Sequence, residues 1–588
     1  MATEKAKVTP QKLSQEAYHA LESVVGKEWV TEDRVVIETY VVHCIDIGVA
    51  LAVAGKSPRI RPAAVVLPAT TEEVQGIVRV ANRYGFPIVP FSNAQLGSGP
   101  TVPGTLVVSM RRMNKIQVHE ENMSVTIEPL IDYGFIHHEA SKRGLWLGGS
   151  GWHGAIAKPC SQVSTAGIWQ SDLKFSGLTR NLIGAKLVLA DGSLLRLGST
   201  AIAGTGETPF TETLPGPNLW GMFRQAIGAR GIVTELTLKL HPWVGGHPFP
   251  EDRGRPSIEH FFEEAKEKKF DRPPVHPRHK ILWFEHPTVE SITEASARLA
   301  SSGIGIALNI TGNYNAMMCS YTIDEANQRS KEYFGITGYM VLAGVSSEKQ
   351  LAYEEKVLKH VVEETGGKLL SAEYKPELLD AVAPWNVEYV LNTETGMRTV
   401  RSNYIPYALP PYGTFDEMTD GVEIWKDVGK DVGFLGEERG EYFSRMPMDC
   451  PYGYILDRGH QITIEMDQFP ERASRAELGK FFDGNFYGFA RFMVSGYPGS
   501  WFADFGEPFL SIFPEIGPDS YLMARIFRKI TNPNGVLVPG RTAWTDEEFK
   551  AAVKNPSKTM ETMLHWREHF GFPKLELAEE EDRWKPME

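Results

Sequence analysis

Residues Arg61–Pro100 read RPAAVVLPATTEEVQGIVRVANRYGFPIVPFSNAQLGSGP. A basic residue and a proline precede a short apolar run, Ala63–Leu67, which predicts a strand. After Pro68, Thr71-Glu72-Glu73 leads into Val74, Ile77, Val78 and Val80, the pattern of a capped amphipathic helix over Glu72–Tyr84. Ile88–Phe91 is the next strand, and it runs into Ser92-Asn93-Ala94-Gln95-Leu96-Gly97-Ser98-Gly99. A loop of small residues lets backbone N–H groups approach an anion, and glycine supplies the φ > 0 conformations that such a nest needs. A pyrophosphate suits it; a surface turn is the alternative for the loop taken alone.

Working outward, the same alternation continues. Thr105–Ser109, Ser124–Glu128, Gly184–Leu189 and Ile232–Leu240 read as strands, interleaved with helical stretches. That order predicts an α/β or α+β unit. Pro242–Pro277, rich in Pro, Gly and charge, is a boundary. Ile281–Glu285, a helix near Thr288–Ser301, Ile304–Thr311, Gly338–Gly344 and a helix from Ser347 to Thr365 then build a second α+β unit, which runs through Gly459–Met466. The expected division is 1–245, 246–500 and 501–588, with the last part returning to the first.

Composition narrows the function. Across 588 residues, 61 Lys and Arg against 74 Asp and Glu give a formal charge of −13, which disfavours nucleic acid as a partner. Cys44, Cys160, Cys319 and Cys450 are too scattered for a disulfide framework or zinc knuckle, and no metal-binding motif is present. The start, Met1–Lys12, is polar and lacks the apolar core of a secretory signal. Val35–Ala54 is apolar but carries Glu38, His43 and Asp46, so it reads as a buried helix and not as a membrane span. A soluble, cytoplasmic protein with no membrane partner is expected, assembled as a homo-oligomer.

Further segments follow in a fixed order: Arg111-Arg112-Met113-Asn114, Leu145–Gly151, Cys160–Gly167, Ala190-Asp191-Gly192-Ser193, Gly231–Leu236 and finally Thr531–Arg541. In this order and spacing the chain resembles the vanillyl-alcohol oxidase / p-cresol methylhydroxylase flavoprotein family, over about Arg61–Pro242 and again at Thr531–Arg541. The resemblance implies an α+β fold: a two-lobed FAD-binding domain of the p-cresol methylhydroxylase type with an α+β substrate (cap) domain. It implies roles by position. Phe91, Ser92, Asn93, Ala94, Gln95, Leu96, Gly97 and Ser98 would hold the pyrophosphate. Ser150 and Gly151, with Cys160, Ser161, Ser164, Thr165 and Gly167, would line the isoalloxazine and ribityl chain. Gly231, Ile232 and Val233 would hold the adenine side or the flavin edge, and Arg541 would touch the flavin.

The chain also departs from the family. No histidine stands in Ser92–Gly97 or in Arg401–Pro410, where relatives carry a tethering histidine, so non-covalent FAD is expected. Cys160 and Tyr404 are the remaining tether candidates, although a free Cys is ordinarily a small buried hydrophobe. Leu96 and Gly499-Ser500 replace the Tyr and Tyr-Arg with which relatives hold a phenolate. The substrate expected is therefore an aromatic or benzylic alcohol that is bulkier, O-alkylated or non-phenolic, oxidised by hydride removal, with oxygen or another electron acceptor. His153, or His460 beside Asp457, is the expected base. Tyr452, Tyr454, Arg401 and Trp385 are pocket candidates. A transferase resembling alkyl-glycerone-phosphate synthase is the alternative, as is a non-catalytic flavin-binding protein. The first would favour a His-rich site, and the C-terminal region offers only His565 and His569.

Overall fold

The computed structural model describes residues 12–41, 60–92, 99–100, 102–149, 157–163, 171–223, 226–243, 278–311, 336–382, 412–415, 418–431, 452–465, 487, 491, 518–540, 544, 546–556, 558–569 and 571. Ala64–Val66, Leu106–Ser109 and Ile88–Phe91 lie parallel, in that order across a sheet, and Val30–Thr31 pairs antiparallel with the first of them. All three parallel strands are nearly solid apolar sequence because helices cover both faces. On one face the helix Thr71–Tyr84 buries Val74, Ile77, Val78 and Ala81, joined by Ala17 and Leu21 of the helix Gln15–Val25. On the other, Ile37, Tyr40 and Val41 pack on Val65, Phe91 and Val107.

Two expectations shift here. The cap of the Thr71–Tyr84 helix is Thr70 and not Thr71: Thr70 is extended, and its hydroxyl accepts the Glu73 N–H at 3.1 Å. The apolar stretch from Val35 is a six-residue helix, Arg34–Thr39, capped by Asp33, and Val35 is 77% exposed. Only the side carrying Ile37 is buried, so the hydrophobic run does not mark a buried helix at its start. Residues 42–54 lie outside the described residues.

The second sheet is antiparallel: Ile116–His119, Ser124–Ile127, Ile232–Lys239, Leu182–Val188 and Leu194–Leu197. The end of the chain then comes back. Ile88 donates to Val536 and accepts from Val538, both at 2.8 Å, so residues 536–538 extend the parallel sheet beyond Ile88–Phe91.

A third sheet of seven strands is built from residues 279–465, in the order Lys368–Leu369, His279–His286, Ile336–Ala343, Ala307–Ile310, Tyr452–Leu456, Gln461–Glu465 and Tyr412–Gly413. Thr288 and Ser291 form a capping box at the start of the helix Val289–Ser301, and Ser347 caps Glu348–Glu364. These helices and Met418–Asp431 pack on the face that carries Phe284, Met340, Leu308, Ile310 and Ile464. The short helix Asp172–Phe175 packs against Ala307–Ile310 and Tyr452–Leu456. Among the described residues no helix is long and apolar enough to cross a membrane.

His286 lies under this sheet, 2% exposed, with Nε2 2.9 Å from the Thr365 hydroxyl. Burial lowers its pKa from 6.5 to about 4. A histidine held neutral by the fold stabilises it at pH values above 6.5, and that contribution is lost as the pH falls towards 4. His286→Gln keeps a partner for Thr365 without a titrating group. Thermal melting followed from pH 7 to pH 4.5 should show a shallower loss for the variant than for the wild type.

Candidate functional site

Ligands of sheets with parallel strands sit outside the carboxyl ends of those strands. Here that end carries Leu67, Ser92 and Ser109–Met110. Tyr40 donates its hydroxyl to Ser109 Oγ at 2.9 Å, and its ring meets Phe91 edge-on at 4.8 Å. The basic turn divides its labour. Arg112 lies 3.9 Å over Trp29, 3.7 Å from Glu73, and donates to the Leu67 carbonyl. Arg111 is exposed and stacks on Tyr40 at 5.2 Å, which leaves a cation at the strand ends suited to a phosphate. Phe91 and Ser92 are thus where the expected pyrophosphate site begins; Asn93, Ala94, Gln95, Leu96, Gly97 and Ser98 lie outside the described residues.

The turn before Gly231 abuts the same place. Gly228 has φ +76, and a Cβ there would lie 2.4 Å from Pro90 Cγ. Arg230, 7% exposed, donates to the Met222 carbonyl at 2.7 Å and stacks on Phe527 at 5.3 Å; burial lowers its pKa to about 10. Gly231, Ile232 and Val233 open the central strand of the antiparallel sheet, and Ile232 is buried in the core shared with the parallel sheet.

A second polar point lies at Gly149. Its φ is +148, and a Cβ there would lie 2.0 Å from Ser171 Oγ. That hydroxyl is fully buried and has no protein partner, as has Trp146 Nε1 nearby in sequence. Glycine-only backbone beside unmet polar atoms fits the polar edge of a flavin. Ser150, Gly151, His153, Ser164, Thr165 and Gly167 lie outside the described residues, as do Trp385, Arg401, Tyr404, Gly499, Ser500 and Arg541. Cys160 is 5% exposed among Tyr133, Val163 and Leu178, with Ser161 next to it on the short helix Pro159–Gln162. Burial, then the charges of Glu235 and Glu128, pushes its thiol up. A protonated core thiol is a poor nucleophile, in line with the buried-hydrophobe reading.

The pairing expected of His460 and Asp457 is not made. His460 is exposed, and its backbone N–H donates to the Asp457 carbonyl. The Asp457 carboxylate turns instead to Arg180, 3.6 Å away, and Ser176, 3.5 Å, while its N–H donates to the buried Asp172 Oδ1 at 2.9 Å. Asp457 and Arg458 hold φ +42 and +60 to make this turn. The sequence signal was a docking turn between the two parts of the chain.

Tyr454 lies on the strand Tyr452–Leu456 of the third sheet. It is fully buried, and cross-strand partners place it in a row with Trp283, Tyr339, Asn309 and Thr463. Opposed residues share a face, so this row lies opposite the helix-covered face. The sequence showed Trp283, Asn309, Tyr339 and Thr463 as strand residues and Tyr454 only as a pocket candidate, and gave no sign that their rows would align. Ser171 and Asp172, on a four-residue helix, carried no motif at all. Among the described residues no cluster of His, Cys, Asp and Glu could hold a metal ion.

Comparison with known proteins fits this geometry. Residues 62–198 match the family model described as the FAD binding domain. The chain is 30% identical over 183 residues to a probable mitochondrial D-lactate dehydrogenase of Danio rerio, covering 31% of this chain and 35% of that one. It thus spans about a third of that relative's length. Among solved structures, 4-ethylphenol oxidase from Gulosibacter chungangensis superposes with TM-score 0.68 at 19% identity, covering 92% of this chain and 99% of that one. p-Cresol methylhydroxylase gives 0.65 at 17%, covering 91% and 98%. The fold is the α+β, two-part p-cresol methylhydroxylase type, and FAD is the cofactor of its first part.

Gly149→Ala tests the cradle. The added methyl meets Ser171 Oγ and forces φ +148 on an L residue. The purified variant should carry less than a tenth of the wild-type flavin per chain, read from the ratio of visible to ultraviolet absorbance. Gly366→Ala, at φ +77 in the third sheet's connections with open space around it, should keep its flavin.

Proposed function

Starting from an FAD-binding domain over residues 62–198, we propose that the chain is an FAD-dependent oxidoreductase that oxidises a small aromatic or benzylic alcohol. The observation that carries the reading is the buried row Trp283–Tyr339–Asn309–Tyr454–Thr463 on the strands that meet the flavin-side helix Asp172–Phe175. An aromatic wall with a few hydroxyl and amide groups is the kind of surface that binds a neutral aromatic ligand. The Trp283 and Tyr339 rings lie 4.6 Å apart, so the wall is continuous on that side. The structural neighbours named for 4-ethylphenol and p-cresol support the aromatic class.

When bound, FAD supplies a two-electron acceptor for a hydride leaving a carbon that bears a hydroxyl. The chain's own residues do the rest. Ser92 and the loop after it, with Arg111 near, hold the phosphates. Gly149 and Ser171 would face the polar side of the ring system. The Asp172–Asp457 contact fixes the distance between that side and the aromatic row. On this reading the flavin is held without a covalent bond: no histidine stands in Ser92–Gly97 or Arg401–Pro410, and Cys160 is buried in the core with its thiol pushed up.

The D-lactate dehydrogenase relative motivates a second reading, a 2-hydroxy acid substrate. A buried carboxylate needs a cationic partner. The row carries none, and Lys375 on the adjoining segment pairs with Glu285 at 2.5 Å. A phosphate-bearing transferase substrate meets the same objection, and His565 and His569 are exposed on the helix Lys558–His569.

Purified protein should be yellow, and acid precipitation should release the colour to the supernatant. Under anaerobic conditions, 4-methoxybenzyl alcohol should bleach the flavin, whereas D-lactate should leave it oxidised. Bleaching by D-lactate alone would overturn the aromatic assignment. Colour that stays in the pellet would overturn the non-covalent one.

A further inference from the structure

Asn309 stands in the middle of the aromatic row, between Tyr339 and Tyr454 on its two neighbouring strands. It is fully buried. Its Nδ2 donates to the Tyr339 hydroxyl at 2.7 Å, while its Oδ1 has no hydrogen-bond partner. A buried amide oxygen left unmet is costly, and folded proteins seldom keep one without a reason. The site is also rigid. Asn309 lies on a strand paired on both sides, and Tyr339 fixes the side-chain amide through the nitrogen. A hydroxyl or N–H donor brought to Oδ1 would meet a fixed acceptor at almost no ordering cost.

Position argues for a ligand rather than a structural partner. Ala307–Ile310 is one of the two strands packed against Asp172–Phe175, the short helix that follows Ser171. Ser171 Oγ, another buried oxygen without a partner among the described residues, sits against Gly149. Two unmet oxygens therefore lie on the elements where the two parts of the chain meet, one on the flavin side and one on the cap side. The helix-covered face of the same sheet holds Phe284, Met340, Leu308 and Ile464 and no such amide.

We propose that Asn309 is a specificity-determining residue whose Oδ1 accepts a hydrogen bond from a hydroxyl of the aromatic substrate, so that the pocket selects alcohols over their ethers. The assignment rests on the aromatic-alcohol reading above. It names a contact that neither the loss of phenolate-binding positions nor the fold identifies. The acceptor is uncharged, so it favours a neutral donor and gives a carboxylate or phosphate nothing.

The test uses the flavin-loaded enzyme and two probes, 4-methoxybenzyl alcohol and its methyl ether. Binding of each is read as a perturbation of the flavin absorbance, with turnover of the alcohol measured in parallel. In the wild type the alcohol should bind roughly five to ten times more tightly than the ether. Asn309→Leu should bring that ratio close to one and raise KM for the alcohol with a smaller change in kcat. Asn309→Thr keeps an uncharged oxygen acceptor on a side chain suited to a strand and should keep part of the preference, which guards against loss of folding in the leucine variant; flavin content reports on folding in both. A general structural role would weaken both probes alike and leave the ratio intact, and a buried water on Oδ1 would do the same. An unchanged ratio in Asn309→Leu with normal flavin content overturns the assignment of Asn309 while the aromatic-alcohol reading stands. A wild type that neither binds nor oxidises the alcohol overturns both.

Discussion

The edge of the parallel sheet is the constraint on which the site depends. Ile88–Phe91 delivers Ser92 and its loop, yet it is the last strand on its side and would expose a row of unpaired backbone groups. The chain resolves this about 450 residues later in sequence. Val536 and Val538 pair with Ile88, and Leu537 is fully buried. Asn532 holds the returning segment by donating to the Leu537 carbonyl at 2.7 Å and accepting its N–H at 3.2 Å. The edge of the parallel sheet that delivers Ser92 is therefore complete only when the third part of the chain has docked. Such long-range pairing carries a large loop-closure cost, which the buried apolar contacts of Val536 and Leu537 must offset.

A second long-range contact sets the other half. The N–H of Asp457 reaches Asp172 across 285 positions, and Arg180 and Ser176 hold the Asp457 carboxylate. Two consecutive non-glycine residues in left-handed conformation, Asp457 and Arg458, are strained, and strain persists only where the surroundings over-determine it. Here the buried acceptor of Asp172 does that. The consequence is positional: the strand that ends in Leu456 carries Tyr454, and fixing its end fixes the aromatic row relative to Ser171 and Gly149.

The regular elements were largely legible in the sequence because their signals are local. Ile88–Phe91 is the strand expected, Thr288 and Ser347 begin their helices as expected, and the other strands that were expected fall within a few residues, whereas Ile116–His119, Leu194–Leu197 and Tyr452–Leu456 were not read as strands. Misreadings came where a local signal had two physical causes. Thr70 and Thr71 both suit a cap, and the backbone chose the first. An Asp-Arg-Gly-His run reads as a titrating pair, but a left-handed turn needs the same small and polar residues. The site's polar points were not legible for a different reason. Ser171, Asp172 and Asn309 have no neighbours in sequence that mark them. Their meaning comes from cross-strand register and from contacts hundreds of positions apart, which no window on the sequence holds.

The division of the fold explains why related cradles accompany different chemistries. The first part recognises phosphates and a flavin through backbone geometry, which constrains glycines and small residues and leaves the substrate open. On the proposed reading, choice of substrate falls to the inner face of the third sheet. That face could have been filled with aliphatic side chains, as its opposite face is, with a gain in stability. It instead buries an asparagine, a threonine and two tyrosines at fixed register. Where a fold keeps polar groups in an interior that hydrophobes would fill at lower cost, binding is the physical reason most consistent with the expense. In this chain that interior lies on the strands that meet the flavin-side helix. On the proposed reading, the polarity of that single strand row, rather than the glycine-shaped cradle of the first part, is what would select the substrate.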